Sequence, residues 1–408
     1  MIKQSIANGV HLLSMNTTDL VFESMWELPH GVTMNSYVVQ GDQIAVVDGV
    51  IGWDGVPETL YDHLGEIGVN PEHIDYVIVN HMEPDHSGWL ENFKRVNDHF
   101  TLVTTDKGAD LVRSFYGEDI DILVVKEGDT LDLGQGKVLS FHPVPNVHWP
   151  ETMLTFEHDS GTLFSCDMYG CFGTIGDHLF DDEMTESEFE LYEREGVRYF
   201  SNVMMTFSPM VKRAIAKTEE LSPRIIAPGH GPIYRSNPTR VIERDRRYVA
   251  YADGFGKNAV TILWGSMYGT TERVVKHIET LLKDAGIQVF SVHLPYDTQS
   301  EVVASTFQSA GVIVAASTYE YRMFPPVAHA IDELGRKKVT GKQAFYFGSY
   351  GWNPGAERDL LGIIDHYKMK WQFVDPVAFL GEATSDDMAR IEAGVRTLIE
   401  NMQDHILR

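Results

Sequence analysis

The sequence predicts an α/β protein of two domains: two sheets covered by helices, then a doubly wound parallel sheet. Three observations carry this. Before residue 253, short β-branched runs meander with turns between them; beyond it, strands and helices alternate in five regular units. Between the two regimes, Ala252-Asp253-Gly254-Phe255-Gly256-Lys257 punctuates the chain, so the expected domains are 1–253 and 254–408.

Composition narrows the class of function. With 408 residues, 43% of them hydrophobic, the chain can build sizeable cores. Its 59 acidic and 33 basic residues leave a net charge of -26, which argues against nucleic acid, because phosphate binding needs a basic face. No apolar run approaches the ~18 residues of a membrane span, and the first ten residues show no targeting pattern, so a cytoplasmic protein without a membrane partner is expected. Only Cys166 and Cys171 occur, with no Cys-x-x-Cys pair for rubredoxin-type iron; both read as buried thiols. No internal repeat or low-complexity segment is present.

In the first domain, residues 34–48 read as a hairpin around the Gly41-Asp42 turn, followed by a helix over 57–67. The buried strand Tyr76-Val77-Ile78-Val79 then delivers Asn80-His81-Met82-Glu83-Pro84-Asp85-His86-Ser87-Gly88 into a loop. A short helix over 88–97 and strands at 100–104, 122–125 and 138–142 come next, and 153–166 makes a second hairpin about Glu157-His158-Asp159-Ser160-Gly161.

The loop after Val79 is the chemical centre of the sequence. His81, Glu83, Asp85 and His86 are imidazole and carboxylate ligands, and alternate residues leaving a strand point in alternate directions, so one loop can feed two adjacent metal ions. Three further ligand types stand singly at strand exits: His148 in Asn146-Val147-His148-Trp149-Pro150, Asp167 after Leu163-Phe164-Ser165-Cys166, and His230 in Pro228-Gly229-His230-Gly231. Three carboxylates and four imidazoles form a hard, oxygen-rich set that suits iron redox work, while affinity alone leaves zinc open.

From Asp182 to Lys217 the chain reads as helical, acidic early and basic late, as helix dipoles favour. The segment 239–251, with Arg240, Arg244, Arg246 and Arg247, reads as an exposed connecting helix.

In the second domain, strands at 259–264, 288–293, 311–316, 344–348 and 374–380 alternate with helices at 272–284, 301–308, 327–334, 357–366 and 386–402, the pattern of a flavodoxin-order sheet. The first strand runs into Gly265-Ser266-Met267-Tyr268-Gly269-Thr270-Thr271, small and hydroxyl residues at a helix N-terminus that suit a phosphate. No Lys follows the last Gly and no Gly-x-Gly-x-x-Gly is present, which sets aside nucleotide-hydrolysing and dinucleotide loops. Ser317-Thr318-Tyr319-Glu320 and Ser349-Tyr350-Gly351-Trp352 lie at two more strand ends, beside the switch point where such sheets hold ligands, and their aromatics can stack on a flat ring.

Taken in order, His-x-Glu-x-Asp-His, a lone His, a lone Asp and Gly-His-Gly resemble the metallo-β-lactamase fold, an αββα sandwich. Glu83, where hydrolases of that fold usually carry His, resembles the flavodiiron proteins, and the three loops of the second domain resemble the FMN-binding loops of flavodoxins. Phe324-Pro325-Pro326 also matches flavodiiron proteins, whereas Glu320-Tyr321-Arg322 departs from the Asn and Gly that relatives often carry. The resemblance covers essentially the whole chain. It implies FMN and two iron ions as cofactors, with His81, Glu83 and His148 on one iron, Asp85, His86 and His230 on the other, and Asp167 bridging. It also implies aromatic or imidazole groups over the irons, for which Tyr199, Tyr192 and His30 are candidates.

The implied activity is reduction of O2 to water, of NO to N2O, or both. Reduced FMN and a diferrous site together hold the four electrons that O2 requires. Electrons are expected from an external donor, a rubredoxin, a flavin reductase or the deazaflavin F420H2, the last as in F420H2 oxidases. A head-to-tail homodimer or homotetramer is the implied assembly. The alternative within the same fold is a binuclear zinc hydrolase carrying a flavodoxin-like domain.

Overall fold

A computed structural model describes residues 2–18, 21–51, 55–57 and 59–407. The chain divides into two compact units, residues 1–200 with 207–246, and 201–206 with 247–408.

The first unit holds two sheets. One has seven strands in the order Ile2–Ala7, Val10–Thr17, Val32–Gln40, Ile44–Val47, Tyr76–Ile78, Thr101–Thr104 and Asp121–Val124. The other has five, Thr130–Asp132, Val138–Pro143, Met153–Glu157, Thr162–Cys166 and Ile225–Pro228, the last pair parallel. Their facing sides share one core: Tyr37, Val39, Val47 and Ile78 from the first sheet pack with Leu139, Phe141, Met153, Phe164 and Ala227 from the second. The outer face of the first sheet offers Val38, Val46 and Val77 to Leu60, Leu64, Leu90, Phe93 and Val112 of the covering helices. Burying each such side chain stabilises by about 1.5–3 kcal/mol, which is why the strands are apolar on both faces. Over the second sheet, Lys217 of helix Ser208–Leu221 donates to the Pro143 carbonyl at 2.9 Å. The two-sheet, helix-covered sandwich expected from the strand pattern is present.

Several local expectations change. The N-terminal hairpin Ile2–Ala7/Val10–Thr17 and helix Asp106–Tyr116 were not anticipated, although Thr105 caps that helix through Gly108 N and Gly117 ends it. The helix expected over 57–67 is Leu60–Glu66, and Glu58 lies outside the described residues. The helix expected over 88–97 is a single turn, Leu90–Phe93, and the expected loop before it carries another, Pro84–Ser87. Pro84 begins the latter because its fixed φ suits an N-terminal turn, so Asp85 and His86 sit on helix rather than loop. The Arg-rich helix, Pro238–Ala252, is not simply exposed: Arg244 and Asp245 are buried, with Arg244 donating to the Tyr169 and Gly170 carbonyls at 2.9 and 3.0 Å.

In the second unit, strands Gln288–His293, Lys257–Gly265, Ser309–Ala316 and Gln343–Tyr350 lie side by side and parallel. The fifth position is shared by Gln372–Phe373 and Val377–Leu380, both paired to Gln343–Tyr350. Numbered along the unit this is 2-1-3-4-5, the expected flavodoxin order. Valines and isoleucines of the central strands pack against helices Thr270–Asp284 and Ser385–Asn401 through Val275, Ile278, Ile391, Val395 and Leu398.

Candidate metal centre and flavin loops

The seven predicted ligands come together. Ligand atoms of His81, Glu83, His148 and Asp167 lie within 4.8 Å of one another, as do those of Asp85, His86 and His230. Asp167 stands between the two groups. Its Oδ2 is 3.3 Å from His81 Nε2 and 3.1 Å from His148 Nε2; its Oδ1 is 2.9 Å from His86 Nε2 and 3.3 Å from His230 Nε2. Each half has its own second carboxylate. Glu83 Oε2 lies 3.2 and 2.9 Å from His81 and His148, and Asp85 Oδ2 lies 3.6 and 3.4 Å from His86 and His230.

Strand ends place these groups, and buried hydrogen bonds hold the strand ends. Asp48 accepts from Asn80 N and Nδ2 at 2.8 and 3.1 Å, while Thr155 donates to Asn80 Oδ1 at 2.6 Å, so the start of the His81 segment is tied on both sides. Asn35 Nδ2 reaches the Pro228 and Gly231 carbonyls, both at 2.9 Å, and Tyr37 donates to Pro228 O at 2.6 Å, bracing the His230 turn. Gly229 has no room for a side chain there, since a Cβ would meet His86 Cε1 at 2.7 Å. Two ring orientations are set from behind: His81 Nδ1 is 2.9 Å from Glu151 Oε1, and His230 Nδ1 is 2.9 Å from Thr33 O. No local signal in the sequence marks Glu151, whose partner His81 lies 70 residues away.

The electrostatics show what the cluster favours. Burial works against charge on both imidazoles, yet Asp167 and Asp85 push His230 up to about 10, and Asp167 and Glu83 push His148 up to about 9. Burial raises Glu83, but His148 and His81 draw it down to about 2; Asp167, likewise opposed by burial, falls well below the usual carboxylate range through His86 and His81. The carboxylates draw positive charge to two adjacent points. Both Asp85 oxygens are buried without a hydrogen-bond donor. An N/O donor set divided by one two-faced carboxylate fits a pair of metal ions.

The expected pocket residues separate. Tyr199 is buried, its ring centroid 5.7 Å from that of His230, with a hydroxyl that has no hydrogen-bond partner. Tyr192 instead donates to Thr174 O at 3.1 Å. His30 is 42% exposed and lies 3.3 Å from Arg194 Nη2 and 3.9 Å from Glu195 Oε1.

In the second unit the three loops expected to hold a flavin meet at the C-terminal ends of neighbouring strands. Helix Thr270–Asp284 starts at Gly269, whose φ of 85° is left-handed, and no side chain caps its first amides. Ser266 Oγ accepts from Gly269 N at 3.0 Å, and Thr270 and Thr271 hydroxyls lie 3.1 Å from Ser349 Oγ, while buried Ser317 Oγ has no partner. Uncapped amides and clustered hydroxyls fit a phosphate. Around them Met267, Tyr268, Tyr319 and Trp352 are exposed, Tyr350 is half-buried, and a side chain on Gly351 would meet open space. Thr318 does other work: its hydroxyl accepts from Gly355 N and Ala356 N, capping helix Ala356–His366. Glu320 and Tyr321 form the left-handed tip between strands Thr318–Tyr319 and Arg322–Met323.

Comparison with known proteins agrees with both halves. The ODP family beta lactamase matches residues 32–231. An anaerobic nitric oxide reductase flavorubredoxin of Vibrio vulnificus is 30% identical over 360 residues, 86% of this chain and 70% of that protein. The chain belongs to the flavodiiron family. A variant of the flavo di-iron protein from Thermotoga maritima has 28% identity and a TM-score of 0.86, covering 98% of this chain and 99% of its own. The rubredoxin oxygen:oxidoreductase from Desulfovibrio gigas, at 24% identity and TM-score 0.90 with 99% of both chains covered, shares the fold. The flavodiiron chain is shorter than several curated relatives, spanning 63% of the Pectobacterium atrosepticum flavorubredoxin. Among the described residues, no helix is long and apolar enough to cross a membrane.

Proposed function

We propose that this flavodiiron protein reduces NO to N2O, O2 to water, or both, using FMN on the loops of 254–408 and a diiron centre in 1–253. The observation that carries the reading is Asp167, whose two oxygens each face a separate His pair with its own carboxylate. When bound, the iron pair supplies electron storage and open positions for a diatomic, and the flavin supplies the remaining electrons. The chain does the rest. His81, Glu83 and His148 hold one ion and Asp85, His86 and His230 the other; Glu151 and Thr33 O fix the imidazole tautomers so that Nε2 faces inward. Tyr199 offers its unpartnered hydroxyl beside His230 as a hydrogen-bond donor.

The flavin's phosphate belongs on the amides at Gly269–Thr271 with Ser266, Ser317 and Ser349, and its ring belongs among Tyr319, Tyr350 and Trp352. The flavorubredoxin names of the relatives favour NO as a substrate. Electrons come from an external donor, a rubredoxin, a flavin reductase or F420H2, to a cytoplasmic head-to-tail homodimer or homotetramer. Glu83 and the flavin half disfavour the zinc hydrolase. The test is anaerobic: reduce the purified protein, measure metal content, add O2 and NO separately, and follow flavin reoxidation with gas consumption. Rapid reoxidation yielding water or N2O is expected; bound zinc with no gas consumed overturns the reading.

A further inference from the structure

One group beside the centre is unused by this chemistry. The Cys166 thiol is buried, and its sulfur lies within 4.8 Å of ligand atoms of both His86 and Asp167. The backbone around it is close-packed. Cys166 has a left-handed φ of 47°, its carbonyl accepts from Gly229 N at 2.6 Å, and a Cβ on Gly229 would meet both the His86 ring and the Cys166 carbonyl carbon. His86 Nδ1 is also buried and without a hydrogen-bond partner.

These three side chains form a mixed sulfur, nitrogen and oxygen set next to the harder set of Asp85, His86 and His230. Thiolate selects zinc, cadmium and cuprous ions, whereas carboxylate and imidazole suit iron. We propose that Cys166 is an alternative ligand in the half of the centre served by His86: a thiophilic ion such as zinc is held by Cys166, His86 and Asp167, whereas iron keeps to Asp85, His86, His230 and Asp167. On zinc binding the S–H bond breaks, its proton passes to solvent, a zinc–sulfur bond forms, and no electron changes hands. Metal identity then changes the ligand set, and zinc, the tighter-binding competitor of ferrous iron, is retained in a redox-silent form.

This inference rests on the cluster being a metal centre, and the test separates the two. FMN-containing protein is loaded with zinc alone or with iron alone and examined by X-ray absorption at the metal edge. Zinc is expected to show a sulfur scatterer at about 2.3 Å, absent from the iron-loaded protein, lost in Cys166→Ser and Cys166→Ala, and kept in Cys171→Ala. In chelator competition, Cys166→Ser should release zinc roughly 10- to 100-fold more readily. Zinc bound without sulfur, or sulfur persisting in both Cys166 variants, overturns the inference alone. Failure of both zinc and iron to bind overturns it together with the metal-centre reading. The wild-type comparison of zinc with iron stands even if a Cys166 variant does not fold.

Discussion

The metal centre and the flavin loops are built on opposite principles. Six of the seven metal-facing side chains are buried, Glu83 being partly so with 13% of its side chain exposed, and each imidazole faces a carboxylate. The proposed flavin loops offer backbone amides and hydroxyls, with Tyr268 88% and Trp352 79% exposed. Burying a charge is costly unless it is compensated, so the first site dictates residue identity, whereas the second dictates mainly backbone shape. Substitutions should therefore be severe and chemical in one region, graded and conformational in the other.

The largest effect is expected at Asp167→Asn, which removes the one carboxylate facing both halves. Metal retention and gas reduction should fall by more than about 100-fold, read by metal analysis and gas consumption; survival of both would remove the bridging role. Next is Glu151→Gln, which leaves all seven ligands but weakens the hold on His81 Nδ1. A loss of roughly 10- to 100-fold in metal affinity is expected, measured by chelator competition, with FMN content unchanged.

On the flavin side, Gly348→Ala sharpens the contrast, because a Cβ there would meet Ala316 O at 1.8 Å, with Tyr346 Oη also close. A cost of about 1–3 kcal/mol should appear as a lower midpoint for unfolding of the flavin half, while metal content per folded chain stays constant. Lys342 gives a pH signature confined to that half. Fully buried, donating to Phe255 O and Phe307 O at 3.0 and 2.8 Å, it is held down by burial to about 7 from 10.5. Between those values the unfolded chain binds a proton that the folded chain does not, so stability rises with pH over that window. Denaturant titrations followed by flavin fluorescence should show the rise, and Lys342→Met should abolish it. The smallest effect is expected at Trp352→Ala, where loss of ring stacking should weaken FMN binding by about 0.5–1.5 kcal/mol without altering the unfolding midpoint of the FMN-free protein.

The same contrast explains what could be read before folding. The seven candidate ligands could be picked out because His and carboxylate side chains at strand exits have few other reasons to cluster, and the flavodoxin order followed from five regular strand and helix alternations. Glu151 and the Asp48–Asn80–Thr155 chain were not legible, since their partners are 32 to 75 residues away and no local pattern marks them. Arg244 illustrates the converse. In sequence it is one arginine among four on an amphipathic helix; only the Tyr169 and Gly170 carbonyls, 75 and 74 residues distant, make it a buried one.

By itself the sequence determined the set of candidate ligands, the alternation of elements and the residues at each strand end, because these depend on local periodicity and on side-chain chemistry. Tertiary structure alone decided that the two oxygens of Asp167 face different halves, that Tyr199 rather than Tyr192 lies beside His230, and that Cys166 lies within reach of His86. Those outcomes depend on how two sheets stack and how their strand ends converge, which no run of neighbouring residues encodes.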